Sequence, residues 1–551
     1  MSSSFLGLSI AMSGLFANQR ALNVTSHNVS NANTEGYSRQ RLDMKAYRPD
    51  ILAGGMGTLG TGTDVEAVRQ IRDKFLDFQL RGEMSKLTEH EARYEVIRNI
   101  EATLNEPTDS GIRQLMDDFF ESIQELNKHP ESLSVRTLVR ERAIALTTGI
   151  GNMASSMKDL QKDLNFEFEV SVNNLNNYAS QIADLNQIIF ETELTGGTAN
   201  DVRDQRNLLL DKMSELADID YYEDHNNKFH VSIGGHEIVS HVRADSLVLT
   251  EREEKNNYTD IEGLVDIAWE DGSPFRAKAG RVKGILDVRD EIEGDDKGIP
   301  YYLDKLNSFM STLTAEFNRI HSTGYDLHGE TNIDFFTIDG MSTEDFREHL
   351  LAYGLDGGSP TDVTDQINQG ITDDMSDADA TELIRENSSN FFDNNPQLKG
   401  KTLRLIDDRY YVVDVIPADQ ISISKDLEDV NKIAASSTVE GLPGGADNVL
   451  NMVNIRHDVE LYDWGSPDDF VKSLVSNLGV DGQATKSIVL NQELLVKNVS
   501  VSRESVMGVS LDEEMADMIR FQNAYSANAR MINTMDEMLD LLVNRLGLVG
   551  R

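Results

Sequence analysis

Apolar residues open the chain at a spacing that a long helix satisfies. Phe5, Leu8, Met12, Leu15, Gln19, Leu22, Ser26 and Val29 follow one another in steps of three and four residues. That is a heptad seam with two polar breaks, and it predicts a helix of about seven turns. The other end of the chain carries a second seam through Leu511, Met515, Met518, Gln522, Tyr525, Ala529, Ile532, Met535, Leu539, Leu542 and Leu546, with one shortened step near Ile532. Ser510 followed by Asp512, Glu513 and Glu514 reads as an N-cap with acidic groups in the first helical turn. Two ends that share one kind of seam are expected to pair as a coiled coil, and the seam residues are the candidate assembly surface.

Between the ends the pattern stays helical in long pieces. Met153, Met157, Leu160, Leu164, Phe168, Val172, Leu175, Tyr178, Ile182, Leu185 and Ile189 keep the three-four spacing, as do Leu303, Leu306, Met310, Leu313, Phe317 and Ile320. Helices are also predicted at 65–103, 111–128 and 134–150. From 217 to 292 the period shortens to alternating runs, FHVSI, HEIVSHV and SLVLT, divided by Asn-Asn and Gly-Gly, which reads as hairpins. Residues 326–465 are rich in Asp, Gly and Asn, with strands expected near TLRLID and RYYVVDVI and a helix resuming near 466.

The expected fold is therefore multidomain, mainly α with β insertions. Residues 1–40 with 510–551 form a discontinuous terminal coiled-coil domain. A long-helix bundle comes next, from 41–216 with 293–325 and 466–509. The outer parts are a β-rich domain at 217–292 and an acidic mixed insertion at 326–465. Burial along a lone pair of terminal helices does not match the backbone entropy of ordering them, so the termini are expected to fold on packing against other subunits.

The first helix gives way to SNANTEGYSRQ at 30–40. Asn31 and Asn33 suit a cap and turn, with Thr34 between them and Gly36. Gly36 can take the positive φ of a sharp reversal, Tyr37 can anchor the exit, and Arg39 closes the motif.

Composition narrows the function classes. The 551 residues carry no cysteine, which excludes disulfides, thiolate metal sites and cysteine nucleophiles. A net charge of −43 opposes phosphate backbones and anionic membranes, so nucleic acid is not an expected partner. Residues 1–42 set Arg20, Arg39 and Arg41 against Glu35, and 501–551 set five basic against eight acidic groups, so nearly all of the negative charge lies between the ends. That split places the ends in contacts and the middle in water. No apolar run reaches a membrane span, and FLGLSIAMSGLF lacks the preceding basic residue and following cleavage site of a signal peptide.

Three stretches look like chemistry and fail on spacing. Gly55, Gly57 and Gly60 satisfy G-x-G-x-x-G, but YRPD rather than a buried strand leads in, so a flexible turn is expected. HEIVSH, with His236 and His241 near His225 and His230, separates its histidines by five positions and not the four a zinc helix needs. In the acidic run 373–382, a calcium loop beginning at Asp377 would put Glu382 at the required glycine and Ser388 at the bidentate glutamate. No catalytic residue, cofactor site or metal site is assigned.

Taken in order, several segments carry a resemblance: NANTEGYSRQ, NDVRDQRNLLLDKMSEL at 200–216, GRVKGILDVRDEI at 280–292, FNRIHSTGYDLHG at 317–329, DFF at 334–336, and SLDEEMADMIRFQNAYSANARMINTMDEMLDLLVNRLG. The chain resembles the axial proteins of the bacterial flagellum, and among them the hook-filament junction family. Val202 and Asn207 depart from that family's N-D-L-x-D-Q-R-D pattern, and no family motif aligns with 340–465. The resemblance implies a structural protein with no reaction and no cofactor. It implies export by the flagellar type III route, with a cytoplasmic chaperone holding the C-terminal helix. It further implies self-assembly into an extracellular ring between the hook protein and the second junction protein, with the acidic middle facing outward. The alternatives are another axial protein (the second junction protein, hook protein or flagellin) or a flagellum-displayed enzyme or adhesin working through 340–465.

Overall fold

The computed structural model describes residues 2–51, 58–104, 111–194, 196–292, 294, 297–352, 361–369, 383–384, 387–388, 391, 401–406 and 409–541. Helix α1 runs Ser2–Ser30, and a turn leads to a hairpin of strands Gln40–Ala46 and Thr63–Gln70 that is bulged between Asp43 and Met44. Helices α2 (Lys74–Leu104), α3 (Ile112–Lys128), α4 (Leu133–Leu194) and α5 (Asn200–Leu216) follow. The start of α2 corrects the helix expected over 65–103. Residues 63–70 are a strand, because β-branched Thr63, Val65 and Val68 pair with Gln40–Ala46 before the helix begins at Lys74.

A four-stranded antiparallel meander joins 219–223, 229–233, 236–240 and 243–244, and a second hairpin pairs 247–251 with 265–269. The end of the segment read as hairpins is helical: α6 spans Arg281–Asp290. Gly280 precedes it at φ +105, where an added Cβ would lie 2.5 Å from the Ala217 Cα, so the close approach of α5 and α6 requires glycine. Helices α7 (Ile299–Thr323), α8 (Thr343–Ala352), the single turn α9 (Thr364–Ile367) and α10 (Asp447–Asn454) lead to α11 (Pro467–Met507) and α12 (Leu511–Asp540). Ser466 and Asp469 form a reciprocal capping box at the start of α11, and Ser510 caps α12.

The core follows the helical seams read from the sequence. Met153, Met157, Leu164, Phe168, Val172, Leu175, Ile182 and Ile189 of α4 are buried, as are Leu303, Leu306, Met310, Leu313, Phe317 and Ile320 of α7. Phe119 and Phe120 of α3 meet Phe317, Phe335 and Phe336 in a cluster of tilted and edge-on rings. Phe335 and Phe336 belong to the acidic segment, and so do Ile421, Leu427, Ile433, Val449, Met452, Ile455 and Tyr462, which share the same core. The segment therefore threads back onto the bundle. Arg136 of α4 fixes one such contact, donating to the carbonyls of Pro130, Val430, Asn431 and Ile433. Strands form at 401–406 and 409–414, near the stretches TLRLID and RYYVVDVI, and pair antiparallel with each other. Among the described residues no helix is long and apolar enough to cross a membrane.

Candidate assembly site

The two chain ends pack against each other. An added Cβ at Gly7 would meet Met535 and one at Gly14 would meet Asn528, while Asn28 Nδ2 donates to Glu514 at 3.0 Å. Moving forward along α1 is matched by moving back an equal distance along α12, so the helices are antiparallel and in register. The face of α1 turned to α12 is Gly7, Ala11, Gly14, Asn18, Ala21, Thr25 and Asn28, itself a three-four series. It lies one residue before the large apolar series. Small side chains let two backbones approach closely, whereas leucine and methionine hold them apart.

That arrangement decides where the seam residues fall. Leu8, Leu15, Leu22 and Val29 are half-buried at the margin of the pair, and Met12 is 42% exposed. On α12 a shielded series runs through Glu514, Met518, Phe521, Tyr525, Asn528, Ile532, Met535 and Leu539 without the shortened step, with Asp517, Ala524 and Ala529 half-buried beside it. Leu511 and Met515 point outward at 50% and 57% exposure. Leu542 and Leu546 lie outside the described residues, as does the side chain of Phe5.

Below the pair lies the turn that leads out of α1. Asn31 donates through both its backbone and Nδ2 to the His27 carbonyl at 3.1 and 3.0 Å, and Thr34 donates its amide to the Asn31 carbonyl at 2.9 Å. Asn33 is exposed. Gly36 has φ +76, and a Cβ there would touch Leu208 of α5 at 3.0 Å. The Tyr37 hydroxyl donates to Asn28 Oδ1 at 2.8 Å, and the same oxygen accepts the Gln40 amide at 2.9 Å. Burial raises the Tyr37 pKa, and the charges of Asp201, Asp204 and Glu514 raise it further, so the phenol stays protonated as the donor.

A polar node then ties the turn to the bundle. Arg39 donates its amide to the Met507 carbonyl and its guanidinium to Glu514 at 2.7 Å and Glu513 at 2.9 Å, linking the first turn of α12 to the motif. Glu514 is 2% exposed. From NDVRDQR, Asp204 accepts both the amide and the hydroxyl of Ser38 and lies 3.4 Å from Arg72. Burial raises the Asp204 pKa although those donors and Arg72 pull it down. Asp201 accepts from Gln40 Nε2 at 2.7 Å, and Asp211 binds Arg81 at 2.7 Å and Arg503 of α11 at 2.8 Å. Burial works to raise the Asp211 pKa, but the two arginines outweigh it and hold the carboxylate below its usual range. Chain segments far apart in sequence thus meet through alternating carboxylates and guanidiniums. The sequence motifs contained Ser38, Arg39, Gln40, Asp201, Asp204, Asp211, Glu513 and Glu514 but not Arg72, Arg81 or Arg503. Their pairing across 130 to 475 positions was not legible from spacing.

The stretches rejected on spacing are accounted for or lie elsewhere. His236 stacks on Trp269 at 4.0 Å and faces Asp245, and His230 stacks on Tyr222 at 4.8 Å. Gly60 sits in open space, while Gly55, Gly57 and the run 373–382 lie outside the described residues.

The ends of the chain pair, the middle is nested between them, and a polar node locks the two together. The model of the flagellar hook-associated protein FlgK helical domain matches residues 97–336. Those of the flagellar basal body rod protein and of the FlgEFG rod C-terminal region match 8–37 and 503–546. The chain is 28% identical to flagellar hook-associated protein 1 of Bacillus subtilis across 100% of both chains. It is 26% identical to that of Escherichia coli across 97% of this chain and 98% of the relative. Its fold is similar to that of the flagellar hook junction protein FlgK from Burkholderia pseudomallei, with a TM-score of 0.56 at 14% identity over 78% of this chain and 100% of that one. The chain is similar to flagellar hook-associated protein 1 along its whole length, and that likeness supports a structural role in the flagellum.

Proposed function

We infer that the chain is the structural layer between hook and filament, assembling with other axial proteins so that a filament can be built on the hook. The observation that carries this is the outward apolar side of the terminal pair. Met12, Phe16, Leu511, Met515, Ile519, Met531 and Met538 are 42–57% exposed in the single chain, although α1 and α12 already cover one another. Surfaces of that kind mark protein contacts.

The finer reading is a coiled-coil terminal layer that closes into a ring, with the hook protein on one side and the second junction protein on the other. The chain reaches this extracellular position through the type III export route, and a chaperone covers the apolar side of α12 before export. The acidic middle faces outward, in keeping with its charge. Deleting the gene should leave hooks without filaments while flagellin is shed into the medium. Intact filaments after deletion would refute the reading.

A further inference from the structure

We propose that the outer face of α11 is a lateral docking surface for a second copy of this chain, separate from the terminal pair; this rests on the assembling role inferred above. Helix α11 packs on α2 through Gly482, Thr485, Val489, Gln492, Val496, Val499 and Arg503, with Gln492 Nε2 donating to the Glu83 carbonyl at 3.0 Å. A second three-four series runs along the same helix through Val480, Ala484, Ser487, Asn491, Leu494, Asn498, Val501 and Ser505, and all eight are exposed. At 3.5 to 3.6 residues per turn the two series sit roughly 150° apart, on nearly opposite sides of the helix. Val480, Leu494 and Val501 are 64%, 59% and 61% exposed, and Leu490 beside them is 51% exposed.

Charge selects the occupant. Between 480 and 506 the charged residues are Asp481, Lys486, Glu493, Lys497, Arg503 and Glu504, and none lies on the outer series. In a chain of net charge −43, two copies side by side repel each other unless the surfaces that meet are neutral. This face is neutral over its whole length. An anionic lipid surface is disfavoured, since the flanking Lys486 and Lys497 are balanced by Asp481, Glu493 and Glu504. Small and medium side chains at heptad spacing suit a facing helix. The face is also continuous with the terminal pair. Only Gly508, Val509 and Ser510 separate α11 from α12, whose Leu511, Met515 and Ile519 are likewise exposed. A ring requires contacts between unlike faces of neighbouring copies, and this face supplies one of them beyond the chain ends.

The absence of cysteine makes the test clean. Leu494→Cys in the full chain carries a single thiol for a benzophenone cross-linker, irradiated in assembled hook-filament junctions and mapped by mass spectrometry. A cross-link to a second copy is expected. In parallel, a Leu494→Glu, Val501→Glu double variant should keep the wild-type circular dichroism, because both side chains are exposed, while filaments per cell fall about tenfold. Cross-links that reach only other axial proteins, or normal filament numbers in the double variant, would overturn the inference. Leu15→Asp serves as the reference: normal filaments in that variant would count against the assembling role itself.

Discussion

Acidification should loosen this molecule first where α7 meets the returning acidic segment. His321 is fully buried, with Nδ1 2.7 Å from the Ile333 carbonyl and Nε2 accepting the Ala434 amide at 3.0 Å. Only a neutral ring protonated at Nδ1 satisfies both partners. Burial lowers its pKa from 6.5 to about 4; the Ile333 hydrogen bond and Asp326 oppose the shift, and the positive charge of Arg136 adds to it. Between those values the unfolded chain binds the proton and the folded chain does not, so stability rises with pH across the window. The contribution is complete above the unfolded value and is lost as pH falls toward about 4; integrated over the shift it amounts to about 3 kcal/mol. Hydrogen exchange at about pH 7 and pH 4.5, corrected for intrinsic rates, should show peptides from 317–338 and 430–450 losing on the order of a hundredfold more protection than α4. His321→Gln should be less protected at neutral pH and lack this extra loss. Carboxylates whose pKa burial raises, such as Glu89, Asp204 and Glu215, respond with the opposite sign and are present in both chains. A folded-state imidazole midpoint near 6.5 by NMR, or the same acid-dependent loss in the variant, would refute the reasoning.

Three further outcomes are expected. Leu15→Asp should abolish filament assembly while circular dichroism of the chain is nearly unchanged, since Leu15 sits at the margin of the terminal pair; unaffected filament numbers would contradict this. Gly36→Val should weaken the turn by about 1–2 kcal/mol, because the backbone is left-handed there and the new Cβ meets Leu208, and it should speed proteolysis within 31–40. Unchanged cleavage would exclude strain at that position. Asp204→Ala removes the acceptor of Ser38 and a partner of Arg72 in a buried site and should cost about 3 kcal/mol, read as lost exchange protection at 36–42. Asp201→Ala, whose carboxylate is mostly exposed, should cost under about 1 kcal/mol; equal losses in both would dissolve the distinction.

Periodicity made the long helices legible because burial of α4 and α7 depends on one repeating face, and that face is written in consecutive residues. The strand at 63–70 was not legible. Its β-branched residues gain a partner only when Gln40–Ala46 folds back beside them. Likewise Phe335, Phe336 and Tyr462 sit in an acidic segment whose average composition reads as exposed, yet Phe335 and Phe336 pack on Phe119 of α3 and Phe317 of α7, and Tyr462 packs on Phe309 of α7 and Phe470 of α11. The turn motif was readable down to Gly36, whose backbone angle is a local property.

By itself the sequence determined that both ends are helices, that a turn with one obligatory glycine follows the first, and that charge sits in the middle. Only the tertiary structure decided which face of α1 meets α12. A heptad of leucines and a heptad of glycine, alanine and asparagine lie one residue apart, and spacing alone cannot choose between them. Close backbone approach selects the small series for the pair within the chain. The large series is thereby left partly uncovered, and the same geometry brings Asn28, Arg39, Asp204 and Glu514 into one buried node.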